Sequence, residues 1–191
     1  HAPATLDQCL KLLAEYQDDA ALIAGGQSLV PLMRFRLAQP AHVIAIRNIG
    51  GALKDIRRTD AGLVIGAGVT YVAAQRSSEV DAACPGLAEA IDLVSHPAVR
   101  TRGTICGNLC QADPASELPA LMLILDATFR LCSAAGERVI AARDFFVGPY
   151  TTARNSDEML TEIIIPRRPA GEKVVLKEVT RLGGGFPLAG I

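Results

Sequence analysis

Two glycine-containing turns are the parts of this sequence best suited to bind an anion. Residues 23–29 read IAGGQSL, and residues 102–109 read RGTICGNL. Glycine tolerates a positive φ and lets the backbone approach a ligand closely, so successive N–H groups can converge on phosphate oxygens. Serine, threonine and asparagine side chains add neutral donors. Neither turn matches the Rossmann pattern GxGxxG or the P-loop pattern GxxxxGKS/T, and tight turns without a ligand stay open as an alternative.

Cysteine and histidine side chains offer two further kinds of chemistry, each with a structural alternative. Cys106 and Cys110 are four residues apart, but two thiolates cannot complete a four-ligand metal or iron–sulfur site. We expect them to be packing residues. His96 could act as a general base beside Ser95, yet neighbouring residues do not face each other and no catalytic triad is evident. A histidine in a turn is the favoured interpretation.

Charged residues form two more candidate groups. Asp113 and Glu117 could be paired acids for hydrolysis, but Pro114 favours a turn in which one carboxylate is a structural cap. Arg167 and Arg168 lie between two prolines, in a segment that we expect to be a solvated loop or, in a multi-subunit enzyme, part of an interface.

Composition excludes several classes of protein. The chain has 191 residues and a net charge of −1, which gives no field to gather nucleic acid. Three tyrosines, five phenylalanines and no tryptophan leave little for a base-stacking surface. Five cysteines without a CxxC pair predict neither a disulfide framework nor a zinc site, and they favour a reducing compartment.

Membrane and secretion signals are also missing from the sequence as given. Its longest apolar run, residues 118–125, contains a proline and falls far short of the roughly 20 residues of a membrane helix. The first residues include no methionine, basic segment or apolar signal region. We therefore expect no membrane span, a cytoplasmic location and a chain that has been cut at both ends.

Hydrophobic patterning predicts a small α/β unit at the start of the chain. Residues 5–17 show helical spacing after a capping box, and residues 20–24 are a short apolar run that ends in two glycines. A second helix over residues 28–36 and a strand over residues 42–46 follow. This order predicts parallel strands within about the first 50 residues.

The rest of the chain is typical of an α+β plan with an antiparallel sheet. Two hairpins are predicted, each around a glycine turn: 54–58 with 63–65, and 128–132 with 137–141. Helices are predicted over 70–76, 86–94 and 117–126, and strands over 159–165 and 173–181.

Four segments, taken in order, resemble the FAD-binding subunit of molybdenum hydroxylases. They are AGGQSLVP at 24–31, VRTRGTICGN at 99–108, DPASELP at 113–119 and DFFVGPY at 144–150. This family includes the medium subunit of carbon monoxide dehydrogenase and the flavin domain of xanthine dehydrogenase, and the likeness extends from about residue 3 to residue 181.

The resemblance implies a two-lobed PCMH-type fold, similar to that of vanillyl-alcohol oxidase. The small α/β lobe would comprise residues 1–50, and the larger α+β lobe with the antiparallel sheet would comprise residues 51–182. Residues 183–191 would begin a C-terminal region that continues in the family for roughly another hundred residues.

The resemblance also implies which residues bind FAD. Residues 24–29 would wrap the pyrophosphate through backbone N–H groups, and Thr104, Gly107 and Asn108 would form a second cradle. No catalytic side chain and no metal ligand is expected. The full set of expected cofactor contacts is Ile23, Ala24, Gly25, Gly26, Gln27, Ser28, Leu29, Thr104, Cys106, Gly107, Asn108, Glu117, Leu160 and Lys177.

Three of these residues have separate roles in the resemblance, and one departs from the family pattern. Glu117 stands where the family often has an aspartate that hydrogen-bonds the cofactor. Leu160 and Lys177 match positions close to the flavin or its linker. Cys106 replaces the first glycine of the usual TIGGN, which places a side chain where the backbone is expected to approach phosphate.

The function implied by the resemblance is electron transfer. A molybdopterin-binding large subunit would hydroxylate the substrate, and a small subunit with [2Fe–2S] clusters would pass electrons singly to this flavin. The flavin would give two electrons to NAD, quinone or oxygen. The chain would be inactive on substrate alone. Two alternatives stay open: a self-contained flavin oxidoreductase resembling UDP-N-acetylenolpyruvoylglucosamine reductase, and a noncatalytic scaffold that lost FAD through Cys106.

Overall fold

The computed structural model describes residues 1–169, 171–181, 185 and 187–190. Helix α1 (Leu6–Tyr16) begins at the predicted capping box. The Thr5 hydroxyl oxygen accepts a hydrogen bond from the Gln8 backbone N–H at 3.2 Å, and the Gln8 Oε1 accepts from the Ala4 N–H at 2.9 Å. These bonds satisfy donors that a helix end leaves free.

Strands β1 (Ala20–Ile23) and β2 (His42–Ala45) form a parallel two-stranded sheet. Helix α2 (Leu29–Arg34) connects them and lies directly after the first glycine turn. The helix–strand–helix–strand order and the parallel pairing confirm the prediction for this part of the chain. The first glycine turn follows the carboxyl end of β1.

A five-stranded antiparallel sheet is the main β element of the remaining chain. Its spatial order is β3 (Ile56–Thr59), β4 (Gly62–Gly66), β9 (Met159–Pro166), β5 (Thr128–Ser133) and β6 (Gly136–Ala141). Both predicted hairpins and the predicted strand over 159–165 are confirmed. The fold is therefore α+β, as the sequence predicts.

Short helices connect these strands. The remaining elements are α3 (Tyr71–Gln75), α4 (Ser78–Ala83), α5 (Pro85–Leu93), α6 (Pro97–Arg100), α7 (Ile105–Gln111), α8 (Glu117–Ile124), α9 (Ala142–Phe145), β7 (Phe146–Gly148) and β8 (Thr151–Thr152). The predictions missed α4, α6, α7 and α9, because helices of four to seven residues are too short to show a full amphipathic period. Among the described residues, no helix has the length and apolar character needed to cross a membrane.

The buried apolar residues form one continuous cluster. One face of the five-stranded sheet contributes Leu63 and Ile163, and α1 contributes Leu13. Phe129 and Phe145 meet edge to face with ring centroids 4.8 Å apart, a favoured aromatic geometry. The α/β unit and the antiparallel sheet therefore share a core, which holds α1 against the sheet.

The predicted strand over residues 173–181 is wrong for most of its length. Residues 172–177 have no regular secondary structure, and only β10 (Glu178–Thr180) is a strand, paired with β11 (Pro187–Gly190). Val174 and Leu176 are half-buried against the core. Alternating apolar residues show that one side of an extended chain is buried. They do not show that the chain is paired with a neighbouring strand. Of the predicted C-terminal region, residues 183, 184, 186 and 191 lie outside the described residues.

Candidate functional site

A cavity of about 270 Å³ lies where the two glycine turns meet. It is bordered by β1, the turn that follows β1, the first residues of α7 and the start of β9. Glu117 and Lys177 are absent from its lining. The predicted cofactor contacts that do line it are Ile23, Ala24, Gly25, Gly26, Gln27, Ser28, Leu29, Thr104, Cys106, Gly107, Asn108 and Leu160.

The first turn has features of a backbone cradle. Gly26 has a φ of +74°, a conformation that a residue with a β-carbon rarely adopts. Gly25 packs directly on the second turn, because a β-carbon there would lie 2.0 Å from the Arg102 carbonyl oxygen. Within the described chain, the N–H groups of residues 26–28 donate to no backbone carbonyl. The turn therefore presents free donors at the cavity.

The second turn leads into the first turn of α7, whereas the sequence predicted only a glycine turn here. Thr104 caps this helix, since its Oγ1 accepts a hydrogen bond from the Gly107 N–H at 3.1 Å. A β-carbon at Gly107 would lie 2.6 Å from that same oxygen. Thr104 followed by apolar Ile105 and Leu109, four residues apart, is a signal that could have predicted this helix start.

Cys106 is buried in the hydrophobic core, although it also borders the cavity. Only 2% of its surface is exposed. Burial raises the pKa of its thiol well above the ordinary value, and the nearby Cys110 and Glu162 add to this rise. A neutral thiol packed into the core brings no negative charge toward a bound phosphate. The substitution therefore leaves the charge of the cradle unchanged.

Asn108 and Glu117 lie at the edge of the cavity nearest α8. The Ser116 hydroxyl donates to Asn108 Oδ1 at 2.8 Å. Burial raises the pKa of the Glu117 carboxyl, and the charges of Glu178 and Asp113 raise it further. Glu117 is close enough to the cavity residue Tyr71 for its charge to raise the pKa of that phenol. Glu117 is thus near Tyr71 but is not part of the described cavity lining.

Leu160, Arg154 and Lys177 differ in their relation to the cavity. Leu160 is a buried lining residue at the start of β9. Arg154 is the charged residue of the described lining, and its Nη1 donates to the carbonyls of Asn155 and Glu158 at 2.9 and 2.7 Å. No sequence signal singled out Arg154. Lys177 is exposed in the irregular segment 172–177 and does not line the cavity.

Cys110 and His96, the remaining cysteine and histidine candidates, lie in surroundings that give them no chemical role. Burial raises the pKa of Cys110 to about 11, so its thiol is neutral near pH 7. His96 precedes the short helix α6, away from the cavity lining. The carbonyl of its neighbour Ser95 accepts a hydrogen bond from Arg100. Among the described residues, no group of three or more potential ligands is placed to hold a metal ion.

The charged candidates also make structural contacts. Asp113 accepts a hydrogen bond from the Ala115 N–H at 2.9 Å and so stabilises the turn before α8. Arg167 is exposed, as expected of a solvated loop. The same expectation is wrong for Arg168, whose side chain is only 18% exposed. It donates to the Ile124 carbonyl at the end of α8 and pairs with Glu172, which fastens the loop to the body of the protein.

Sequence comparisons identify related flavin subunits. Residues 1–168 match the family model described as the FAD binding domain in molybdopterin dehydrogenase. The chain is 37% identical to the 6-hydroxypseudooxynicotine dehydrogenase complex subunit alpha of Paenarthrobacter nicotinovorans, over 97% of this chain and 62% of that protein. It is 38% identical to the caffeine dehydrogenase subunit beta of Pseudomonas sp. strain CBB1, over 98% and 64%. The chain thus spans slightly less than two thirds of these curated relatives.

Solved structures of a dehydrogenase and an oxidoreductase superimpose closely on this chain. Carbon monoxide dehydrogenase from Hydrogenophaga pseudoflava superimposes with a TM-score of 0.96 at 38% identity, covering 100% of this chain and 66% of that chain. Quinoline 2-oxidoreductase from Pseudomonas putida 86 superimposes with a TM-score of 0.93 at 38% identity, covering 99% and 65%. These similarities cover the two glycine turns and the cavity between them.

Proposed function

Because this chain belongs to the family of FAD-binding domains of molybdopterin dehydrogenases, we propose that it is the electron-transfer flavin subunit of such an enzyme. The observation that carries the proposal is the meeting of two glycine turns at one cavity. FAD is the cofactor of the family. When bound, it supplies a centre that can take up electrons singly and release them as a pair.

The residues around the cavity fit the phosphate portion of FAD. Gly25 lets the first turn pack on the second, and Gly26 gives the first turn its positive φ. The N–H groups of residues 26–28 are available to phosphate oxygens. Thr104, Gly107 and Asn108 would contribute the second half of the cradle. Converging backbone donors of this kind bind phosphate oxygens without requiring a charged side chain.

The other proposed contacts lie around this cradle. Leu160 would lie beside the flavin or its linker, and Glu117 would accept hydrogen bonds from cofactor hydroxyls. We keep Lys177 as a proposed contact only for the assembled protein, because its side chain is exposed here. Arg154 brings positive charge to the described lining, which suits a cofactor with two phosphate groups.

No acid–base step is assigned to this chain. The described lining of the cavity is mainly apolar or neutral, and its two cysteines have raised pKa values. Its residues would bind the cofactor, hold it in one orientation and limit the access of water. Substrate oxidation would take place in another subunit.

The proposed partners follow from the relatives. One relative is named as part of a dehydrogenase complex, and another as a medium chain of carbon monoxide dehydrogenase. We place this chain in a cytoplasmic enzyme with a molybdopterin-binding large subunit and a [2Fe–2S] small subunit. The two-electron acceptor would be NAD, quinone or oxygen. Residues 1–50 and 51–182 would form the two lobes around the cofactor.

Transfer of electrons from the small subunit tests this proposal. The cognate [2Fe–2S] subunit is reduced with dithionite, freed of excess reductant and mixed anaerobically with the FAD-loaded chain. We expect the visible flavin absorbance to fall while the iron–sulfur absorbance returns. A flavin that stays oxidised beside reduced clusters contradicts the proposal. Reduction of the flavin by substrate without any partner favours a self-contained oxidoreductase.

A further inference from the structure

Tyr71 is a buried polar residue of the cavity that the sequence motifs did not identify. It is the first residue of α3, 4% exposed, and it lines the cavity. Its N–H donates to the Gly103 carbonyl at 3.0 Å, and a β-carbon at Gly103 would lie 2.5 Å from the Tyr71 Cε2. The tyrosine ring therefore packs directly on the second glycine turn, in a fixed position.

The phenol of Tyr71 is protonated near neutral pH. Burial raises its pKa far above the ordinary value, and the nearby charge of Glu117 adds to the rise. Hydrogen bonding from the Asn108 side chain opposes this rise in part. The protonated phenol has a hydrogen that an acceptor in the cavity can take.

Ser116 fixes the direction of the Asn108 amide. The Ser116 hydroxyl donates to Asn108 Oδ1 at 2.8 Å, so the acceptor end of the amide is engaged on the α8 side. The amide NH₂ then faces the other way, toward Tyr71 and the cavity. Asn108 therefore lies between Ser116, from whose hydroxyl it accepts a hydrogen bond, and Tyr71, whose pKa it lowers.

We propose that Tyr71 is a further cofactor-binding residue, whose hydroxyl donates a hydrogen bond to an oxygen of bound FAD beside the second glycine turn. Ser116 is a positioning residue that acts through Asn108. This inference rests on the proposed function, since it requires FAD in the cavity. It adds a side-chain donor to a cradle otherwise made largely of backbone groups.

Binding of free FAD to the full chain, followed by flavin fluorescence, tests this inference. Tyr71→Phe removes only the hydroxyl, so we expect the dissociation constant for FAD to rise about tenfold. Ser116→Ala should raise it about threefold, and Ser116→Thr, which keeps a hydroxyl, should restore binding. The control is Tyr150→Phe, because Tyr150 is 60% exposed and lies outside the cavity lining. Its dissociation constant should be unchanged.

A double-mutant cycle separates positioning from general destabilisation. The effects of Tyr71→Phe and Ser116→Ala should be less than additive, because Ser116 acts through Asn108 on the hydroxyl that Tyr71→Phe removes. Tyr71→Phe should keep the circular dichroism spectrum of the FAD-free protein and lower its unfolding temperature only slightly, because one buried hydrogen bond is lost. Equal FAD affinity in wild type and Tyr71→Phe overturns the inference and leaves the proposed function standing. Lost affinity that comes with a loss of folded structure in the FAD-free variant also overturns it, and a wild type that binds no FAD overturns both.

Discussion

The Gly25 α-carbon lies against the backbone of Arg102, so closely that a β-carbon at position 25 would be 2.0 Å from the Arg102 carbonyl oxygen and 2.6 Å from its carbon. These are backbone atoms and cannot rotate away. This contact joins the two glycine turns, which are almost 80 residues apart in the sequence. The cavity between the turns depends on it.

Gly25→Ala is therefore expected to separate the two turns. We expect the dissociation constant for FAD to rise at least about tenfold, and the free energy of unfolding to fall by about 1–3 kcal/mol through overpacking. Titration with FAD and urea denaturation measure the two effects. Gly50→Ala is the matched control, because a β-carbon there meets nothing within 4 Å. Unchanged FAD binding by Gly25→Ala would show that the contact does not shape the site.

Cys106→Gly restores the glycine of the family pattern and is expected to give no gain in FAD affinity. The buried thiol fills space in the core, so its removal should lower the free energy of unfolding by about 1–3 kcal/mol, including the cost of glycine in a helix. Cys106→Ala, which keeps a β-carbon, should lose less. These values come from urea denaturation and FAD titration. Markedly tighter FAD binding in Cys106→Gly would mean that the thiol obstructs the cradle.

Glu158 is expected to make stability depend on pH in the acid range. Arg138 donates two hydrogen bonds to its carboxylate, at 2.6 and 2.8 Å, and the Asn155 N–H donates a third at 2.8 Å. These contacts, led by the Arg138 side chain, lower the pKa of Glu158. Because the folded pKa lies below the unfolded value near 4.3, the stabilisation is present above about pH 4.3 and is lost as the pH falls through the lowered pKa.

Urea denaturation of Glu158→Gln over a pH series checks this expectation. The wild type should be more stable than the variant near pH 7, and the gap should narrow as the pH falls below about 4. Glu137→Gln is the control, because the Glu137 side chain is 59% exposed and exposed ion pairs contribute little. A gap between wild type and Glu158→Gln that is constant across the series would refute the account.

Much of the architecture could be predicted because it is encoded locally. The capping box at Thr5 starts α1, and the turns at Gly62 and Gly136 each connect the two strands of a hairpin. Which segments of the chain pair with each other as strands is not encoded locally. Residues 173–177 alternate like a strand, and Val174 and Leu176 pack against the core, but no strand in the described part of the chain pairs with this segment. The pattern of burial therefore predicted the wrong element there.

The candidate site was predictable only in part. The glycine turns carry their own signal, because positive φ and close approach restrict position 26 and position 25 to glycine. Tyr71 and Arg154 carry no such signal. Each borders the cavity through contacts between distant segments, as when Tyr71 packs on Gly103. Contacts of this kind depend on the tertiary fold and do not appear as a spacing in the sequence.

The cofactor content of the purified chain tests the central claim most directly. The visible absorbance spectrum is recorded, the protein is denatured by heat, and any released cofactor is identified by mass and quantified. We predict about one FAD per chain, either as purified or after incubation with added FAD. A colourless protein that takes up no added FAD, while remaining folded by circular dichroism, would contradict the account.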